Sequence, residues 1–385
     1  MIVIPKSFDK PFDIPLPLLS VHKDSNSPNH LQKLTMKTTK STLRSGTAAL
    51  AICIAALSTS AFSQTTATTT PVGFMTYPLT QNQTTSVGFP LMETANYTGP
   101  VLTFTTSTIQ ASGVAWVADQ FATAGNPYFV AIRSGLQAGR ILLVTGNTTD
   151  TLTLQTDDTG LDAASFSLVT GTTPDNFDLF PGDTLGTVFG TTATAGVLPS
   201  GIQGGTSLLS ADGVQIHNGV KFVSYFFNTT LSKWVMLNGG TTDQKDTILY
   251  PDKGLLIARR GPNSTLTLMG RVPATGLLTK LPNGSTTAVS VRFPTDTTLT
   301  GLNFSGPGTW IQGSSFTADT VNLWNGIKWV AFYKNASGVW NMLNGGTVDQ
   351  GATVIPAGTA ILILKHGTAN SGFNTFFSQA LPYSL

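Results

Sequence analysis

Four groups of side chains in this chain have the types and spacing to do chemistry. Trp324, Trp329 and Tyr333, with Trp340 close behind, could stack on sugar rings as an aromatic platform. Asp157, Asp158 and Asp162 gather hard carboxylate oxygens as a calcium site would, although their order does not follow an EF-hand loop and a solvated turn is the simpler reading. His217 and His366 are the two histidines beyond residue 63, one at the start of a strand-like run and the other beside a glycine. A nucleophilic triad needs a histidine held by an acid, and neither context offers one. Glu93 is the sole glutamate, so no pair of carboxylates in contrasting environments suggests glycoside hydrolysis. Gly204-Gly-Thr-Ser207 lacks the lysine of a phosphate loop. The inventory names no catalytic residue, no cofactor and no metal site beyond the three aspartates. With carboxylates placed in solvated turns, it also predicts a shallow dependence of stability on pH between 5 and 8.

The elements that must carry these side chains are organised around a duplicated motif. Trp234-Val-Met-Leu-Asn-Gly-Gly-Thr-Thr-Asp-Gln244 returns as Trp340-Asn-Met-Leu-Asn-Gly-Gly-Thr-Val-Asp-Gln350. Around it, 214–261 aligns with 321–367 across one single-residue gap, with 19 of 47 aligned pairs identical. The spacing suits a duplicated domain rather than a solenoid. The gap falls just before Trp234 and Trp340, between runs rich in aromatic and β-branched residues, where a hairpin turn tolerates a length change. Asn-Gly-Gly then supplies positive φ for a second sharp turn. Asp243 and Asp349 follow it, as side-chain caps of that turn. A core position survives duplication more readily than a binding position. Trp234 and Trp340 therefore read as buried and equivalent. Trp324 and Trp329 align with His217 and Phe222 and are the better ligand candidates.

Residues 1–35 carry five prolines among mixed polar residues and read as an upstream extension that is not part of the protein. From Met36 the pattern changes. Lys37, Lys40 and Arg44 precede an apolar run over 47–57, and Ala61-Phe-Ser63 offers a small-x-small cleavage site. This is a secretory signal over 36–63, and its apolar run is shorter than the ~20 residues a spanning helix needs. The mature chain, 64–385, contains neither a membrane span nor the lone cysteine, Cys53, and so has no disulfide. Seven of the 21 Lys and Arg and three of the 19 acids lie before residue 64, leaving 14 cations against 16 anions. No basic patch suggests nucleic acid. Abundant Thr, Gly, Ser and Asn between short apolar runs predict an all-β protein of two or three sandwich-like domains. The domains expected are 64–170, then repeat copy 1 over 171–280, then repeat copy 2 over 281–385. No capped amphipathic helix is expected, at most one turn within 111–124. The strand-like runs are too short and too often broken by Pro and Gly for an outer-membrane barrel.

Several of these strings together carry a resemblance. Gly139-Arg-Ile-Leu142, Asn147-Thr-Thr-Asp-Thr-Leu-Thr-Leu154, Pro181-Gly-Asp-Thr-Leu-Gly-Thr-Val-Phe189 and Leu255-Leu-Ile-Ala-Arg-Arg-Gly261 look like an uncharacterised family of exported all-β proteins from Verrucomicrobia-type bacteria, function unknown. The likeness covers nearly all of 70–270. The last unit, with Val354-Ile-Pro-Ala-Gly358 before an apolar strand, is similar to terminal β modules of bacterial surface proteins. The resemblance implies export and brings no catalytic residue and no ligand. The expectation is an exported, non-enzymatic structural or cell-surface protein, periplasmic or extracellular after cleavage near Ser63. Its candidate partners are cell-surface polysaccharide or other surface proteins. The alternative is a secreted carbohydrate-binding protein using the aromatics of the second repeat.

Overall fold

The computed structural model describes residues 71–155, 168–305, 310–367 and 375–383, and the fold is nearly all antiparallel β. The chain enters through β1 (Val72–Leu79), whose alternating pattern turns Tyr77 and Leu79 inward and Phe74 outward. Next comes the short β2 (Thr84–Val87).

A closed six-stranded barrel follows. Its strands are β3 (Tyr97–Phe104), β4 (Thr108–Ala111), β5 (Tyr128–Ile132), β6 (Ile141–Asn147), β7 (Thr151–Leu154) and β8 (Asn176–Pro181), in the order β3-β4-β7-β6-β5-β8. Val101, Ile109, Val130, Ile132, Leu152, Phe177 and Leu179 fill it. A sandwich was the expectation for this segment. Register shifts between Val101 and Thr103 and between Val144 and Gly146 add local twist, and β8 pairs with both β3 and β5, so no edge stays open. Residues 111–124 form no helix. Their backbone is held instead by Asn147, whose Oδ1 accepts the Phe121 amide at 2.9 Å and whose Nδ2 donates to the Val117 carbonyl at 2.7 Å.

Beyond the barrel, β9 (Asp183–Thr184) leads into a helix that the sequence reading missed, α1 (Leu185–Phe189). Thr184 caps it through a reciprocal box with Thr187, and Leu185 and Phe189, four apart, both enter the core. Five residues are too few to display a helical period, and threonine replaces the Glu or Gln usual in the box.

Then come β10 (Gly213–His217), β11 (Phe222–Asn228), β12 (Lys233–Met236), β13 (Ile248–Leu249), β14 (Leu255–Ala258) and β15 (Ser264–Arg271). After them are β16 (Leu277–Leu281), β17 (Thr286–Ser290), β18 (Thr297–Thr298), β19 (Asn303–Ser305), β20 (Thr320–Trp324), β21 (Trp329–Lys334), β22 (Trp340–Met342), β23 (Val354–Ile355), β24 (Ala360–Leu364) and β25 (Thr375–Gln379). Two five-stranded sheets result, β12-β11-β10-β14-β2 and β22-β21-β20-β24-β17. The β1–β15 pair covers the first through Tyr77, Leu79 and Leu266. The three-stranded β16-β25-β19 covers the second through Leu281, Phe377 and Phe304. Pairing thus groups β1 and β2 with strands of 213–271 and not with the barrel, although 64–170 reads in sequence as one stretch. Trp234 and Trp340 are 0% and 2% exposed in the two cores. Asn238 and Asn344 at φ 61° and 62°, with Gly240 and Gly346 at 78° and 80°, make the expected turns. Asp243 and Asp349 accept the amide two residues on, at 3.1 and 2.8 Å.

The sheets meet where β14 and β24 begin. Ser86 Oγ donates to the Ala360 carbonyl and accepts its amide, both at 2.8 Å, and the Gly254 amide donates to the Ala288 carbonyl at 3.3 Å. Gly254 aligns with Ala360, and here the two touch. A Cβ on Gly254 would collide with the Ala360 Cβ and lie 2.9 Å from its Cα. Gly254→Ala should therefore cost about 1–3 kcal/mol of stability, the range for an overpacked core. Ala360→Gly in the same chain should recover most of that loss in a urea melt, because the double variant only exchanges the two residues.

Candidate functional site

Of the aromatic candidates, Trp324 and Trp329 come together and Tyr333 does not. Trp324 and Trp329 are directly opposite in the β20–β21 ladder, their rings edge-to-face at 5.3 Å. Asn325 holds the intervening turn by accepting the Ile327 and Lys328 amides at 3.0 and 2.9 Å. Tyr333 is four residues further along β21, roughly 13 Å away at strand rise, opposite Thr320. All three are half-buried. They occupy the face of the second sheet turned away from its core, and that face meets the first sheet. Trp329 stacks on Phe222 at 5.9 Å with 12° between the planes, and the Trp324 indole donates to the Thr84 carbonyl at 2.8 Å. His217 packs edge-on against Phe222 at 5.0 Å. The rings thus form a ladder, His217–Phe222–Trp329–Trp324, built from two pairs of aligned positions.

The histidine has partners after all. His217 Nδ1 accepts the Gly219 amide at 3.1 Å, and burial, followed by the nearby Lys253 charge, lowers its pKa. A neutral imidazole with Nε2 protonated fits both observations. The backbone amide of His366 donates to Asp319. Asp157, Asp158 and Asp162 lie outside the described residues. Among the described residues no group of three or more His, Cys, Asp or Glu could hold a metal ion.

Three aspartates are committed to buried ion pairs. Asp212, fully buried, bridges Arg259 and accepts the Gln203, Arg260 and Gly261 amides at 2.7, 2.5 and 3.0 Å. Asp319, also fully buried, bridges Lys365 and accepts the Ile311 and His366 amides, both at 2.7 Å. Desolvation lowers the Lys365 pKa, and the Asp319 carboxylate opposes that shift. Asp178 joins the barrel to β15 by pairing with Arg133 at 3.2 Å and Arg271 at 2.8 Å.

Two of the concave features gather charged side chains. One is a cavity of about 190 Å³ at the neck of the barrel, lined by Phe89, Met92, Glu93, Asp183, Thr187 and Met269 among others. Sequence reading found no interacting carboxylate pair, because Glu93 and Asp183 are separated by the whole barrel and meet only where its two connections converge. Burial, and then the Glu93 charge, raises the Asp183 pKa to about 6, against a weaker opposing bond from the Thr187 hydroxyl. The folded state therefore holds a proton that the unfolded chain releases between about pH 4 and 6. Stability from this group is present below the unfolded pKa and falls as pH rises through the folded one, so its loss lies mostly between about pH 4 and 6 and reaches only the lower edge of the range where a shallow profile is expected. Asp183→Asn should gain about 1–3 kcal/mol over the parent at pH 7 and little at pH 4, in melts run at both pH values. Equal differences at the two pH values would contradict this.

The second feature is a cavity of about 370 Å³ where the barrel, the β13–β14 connection and the β16–β17 connection converge. Arg140, Lys253, Lys280, His217, Asp252, Gln155 and Tyr250 contribute its polar lining. Arg140 lies over the Phe376 ring at 5.1 Å, and the Tyr250 hydroxyl donates to Gln155 Oε1 at 3.0 Å.

Comparison with protein-family models and with curated proteins gives no match for this chain.

Proposed function

We propose that this is an exported, non-enzymatic structural or cell-surface β protein, directed out of the cytoplasm by residues 36–63. In this reading it consists of two copies of one sandwich-like unit, with the barrel inserted in the first copy. The matching order of the two five-stranded sheets supports the duplication. So do matching registers. Thr84-Thr-Ser-Val87 pairs with β14 as Thr286-Thr-Ala-Val289 pairs with β24, Val87 facing Leu255 and Val289 facing Ile361. The β9–β13 and β18–β23 ladders match likewise, with Thr184 opposite Ile248 and Thr298 opposite Val354. The observation that carries the non-catalytic half is the use of charge. Asp212, Asp319 and Asp178 are buried and engaged with cations and backbone amides, so they hold the fold and are not free to serve a substrate. The resemblance to exported proteins of Verrucomicrobia-type bacteria agrees with this reading.

Amino-terminal sequencing of material recovered outside the cytoplasm should begin at or near Gln64. Recovery of residues from 1–35 in that material would overturn both the start and the cleavage site.

A second reading, secreted carbohydrate binding through Trp324 and Trp329, is favoured by their half-exposed position and their difference from His217 and Phe222. Against it, Phe222 already occupies one face of Trp329. A glycan array on the mature chain separates the two.

A further inference from the structure

We propose that Asn218-Gly219 is a self-modifying site, in which the His217 imidazole drives ring closure of the Asn218 side chain onto the Gly219 amide, with loss of ammonia, and leaves aspartate or isoaspartate at position 218. The proposal is independent of the export reading.

The site is the four-residue turn between β10 and β11, closed by the His217–Phe222 pair. Three hydrogen bonds arrange it. The Gly219 amide donates to His217 Nδ1 at 3.1 Å. Asn218 Oδ1 accepts the Val220 and Lys221 amides at 3.1 and 2.9 Å. A nucleophile, its base and two oxyanion donors therefore stand together. Burial, followed by the Lys253 charge, favours the neutral imidazole, which can accept a proton at neutral pH. Asn218 and Gly219 are exposed, so ammonia can leave and water can enter.

The chemistry balances with water as the co-reactant. His217 Nδ1 takes the Gly219 amide proton as the Gly219 nitrogen bonds to Asn218 Cγ. The charge that develops on Asn218 Oδ1 is met by the Val220 and Lys221 amides. The Cγ–Nδ2 bond then breaks, and the proton held by His217 leaves with Nδ2 as ammonia. Water opens the five-membered imide at one carbonyl or the other, giving aspartate or isoaspartate. The product is a carboxylate on the wall of the cavity of about 370 Å³, which Asn218 shares with Lys253.

The second copy supplies the control. Asn-Gly occurs five times in the chain, and Asn325-Gly326 occupies the matching turn between β20 and β21. Asn325 Oδ1 accepts the Ile327 and Lys328 amides as Asn218 Oδ1 accepts its own pair. Trp324 stands in place of His217, and an indole nitrogen donates but does not accept. At Asn238-Gly239 and Asn344-Gly345 the glycine amide donates to a carbonyl, of Met236 or Met342, which is no base at neutral pH. Of these four sites, only Asn218-Gly219 sets an imidazole on the attacking amide.

The test is incubation of the purified, folded protein at neutral pH, with peptide mapping by mass spectrometry and enzymatic methylation to count isoaspartate. Asn218 should convert about 100-fold faster than Asn325, the low end of what a positioned base contributes. His217→Gln, which keeps an acceptor but not a base, should bring Asn218 down to the Asn325 rate. In guanidinium chloride the two sites should convert at similar rates, because glycine follows each and the imidazole is no longer held in place. Equal rates at Asn218 and Asn325 in the folded parent would overturn the proposal, and that comparison needs no variant. So would an undiminished Asn218 rate in folded His217→Gln, or an Asn218 left intact in the folded protein over a time in which the unfolded chain converts. None of these outcomes bears on export or on the duplicated fold.

Discussion

Asp212→Ala is expected to destabilise the protein by about 3–5 kcal/mol, the cost of leaving one partner of a buried ion pair uncompensated. The Arg259 guanidinium would remain 3% exposed, with only the Gly201 and Pro262 carbonyls as partners. The amides of Gln203, Arg260 and Gly261 would lose their acceptor at the same time. Adding Arg259→Met should therefore recover only part of the loss. It removes the orphaned charge but leaves the amides unpaired. Asp319→Ala should behave similarly, since Asp319 holds Lys365 and two amides in the matching place. Urea melts of the two single variants and the Asp212→Ala, Arg259→Met double variant measure all three effects. A loss below about 1 kcal/mol for either aspartate would show that its carboxylate is solvated.

Trp234→Ala and Trp340→Ala should each cost about 3–5 kcal/mol, because both indoles are core side chains. Replacement by phenylalanine should separate them. The Trp234 indole donates to the Gly190 carbonyl at 2.8 Å, whereas Trp340 Nε1 is buried with no hydrogen-bond partner among the described residues. Trp234→Phe therefore loses a hydrogen bond worth about 1 kcal/mol that Trp340→Phe does not. Trp340→Phe should be the milder change by roughly that amount in paired thermal melts. The reverse order would mean that the Trp340 indole finds a partner in solution.

These side chains differ in how far the sequence discloses them. The two core tryptophans stood out because duplication preserved them beside a turn of variable length. The positive-φ asparagines and the aspartate caps were equally visible, since their geometry is set within a few residues. Asp212 and Asp319 were not recognised, although Ala211-Asp212 and Ala318-Asp319 stand just outside the aligned segment in both copies. Extending the alignment by three residues would have paired them. Nothing local could reveal the barrel, whose closing ladders join β8 to β3 and β5 over long separations. The Glu93–Asp183 pair depends on that closure. The half-buried state of Trp324 and Trp329 has the same origin, because the surface that covers them is the other sheet. Alternation along β21 shows that Trp329 leaves one core. It does not show that Phe222 awaits it on the other side.

In the proposed reading the aromatic ladder His217–Phe222–Trp329–Trp324 is architectural. The most direct measurement is a double-mutant cycle on Phe222→Ala and Trp329→Ala by thermal melting, with a glycan array run on the parent and on Trp329→Ala. Each variant should melt below the parent, and the pair should couple by about 0.5–1.5 kcal/mol, as stacked rings do. The array pattern should be unchanged by Trp329→Ala. Additive melts, together with a glycan signal in the parent that disappears in folded Trp329→Ala, would contradict it.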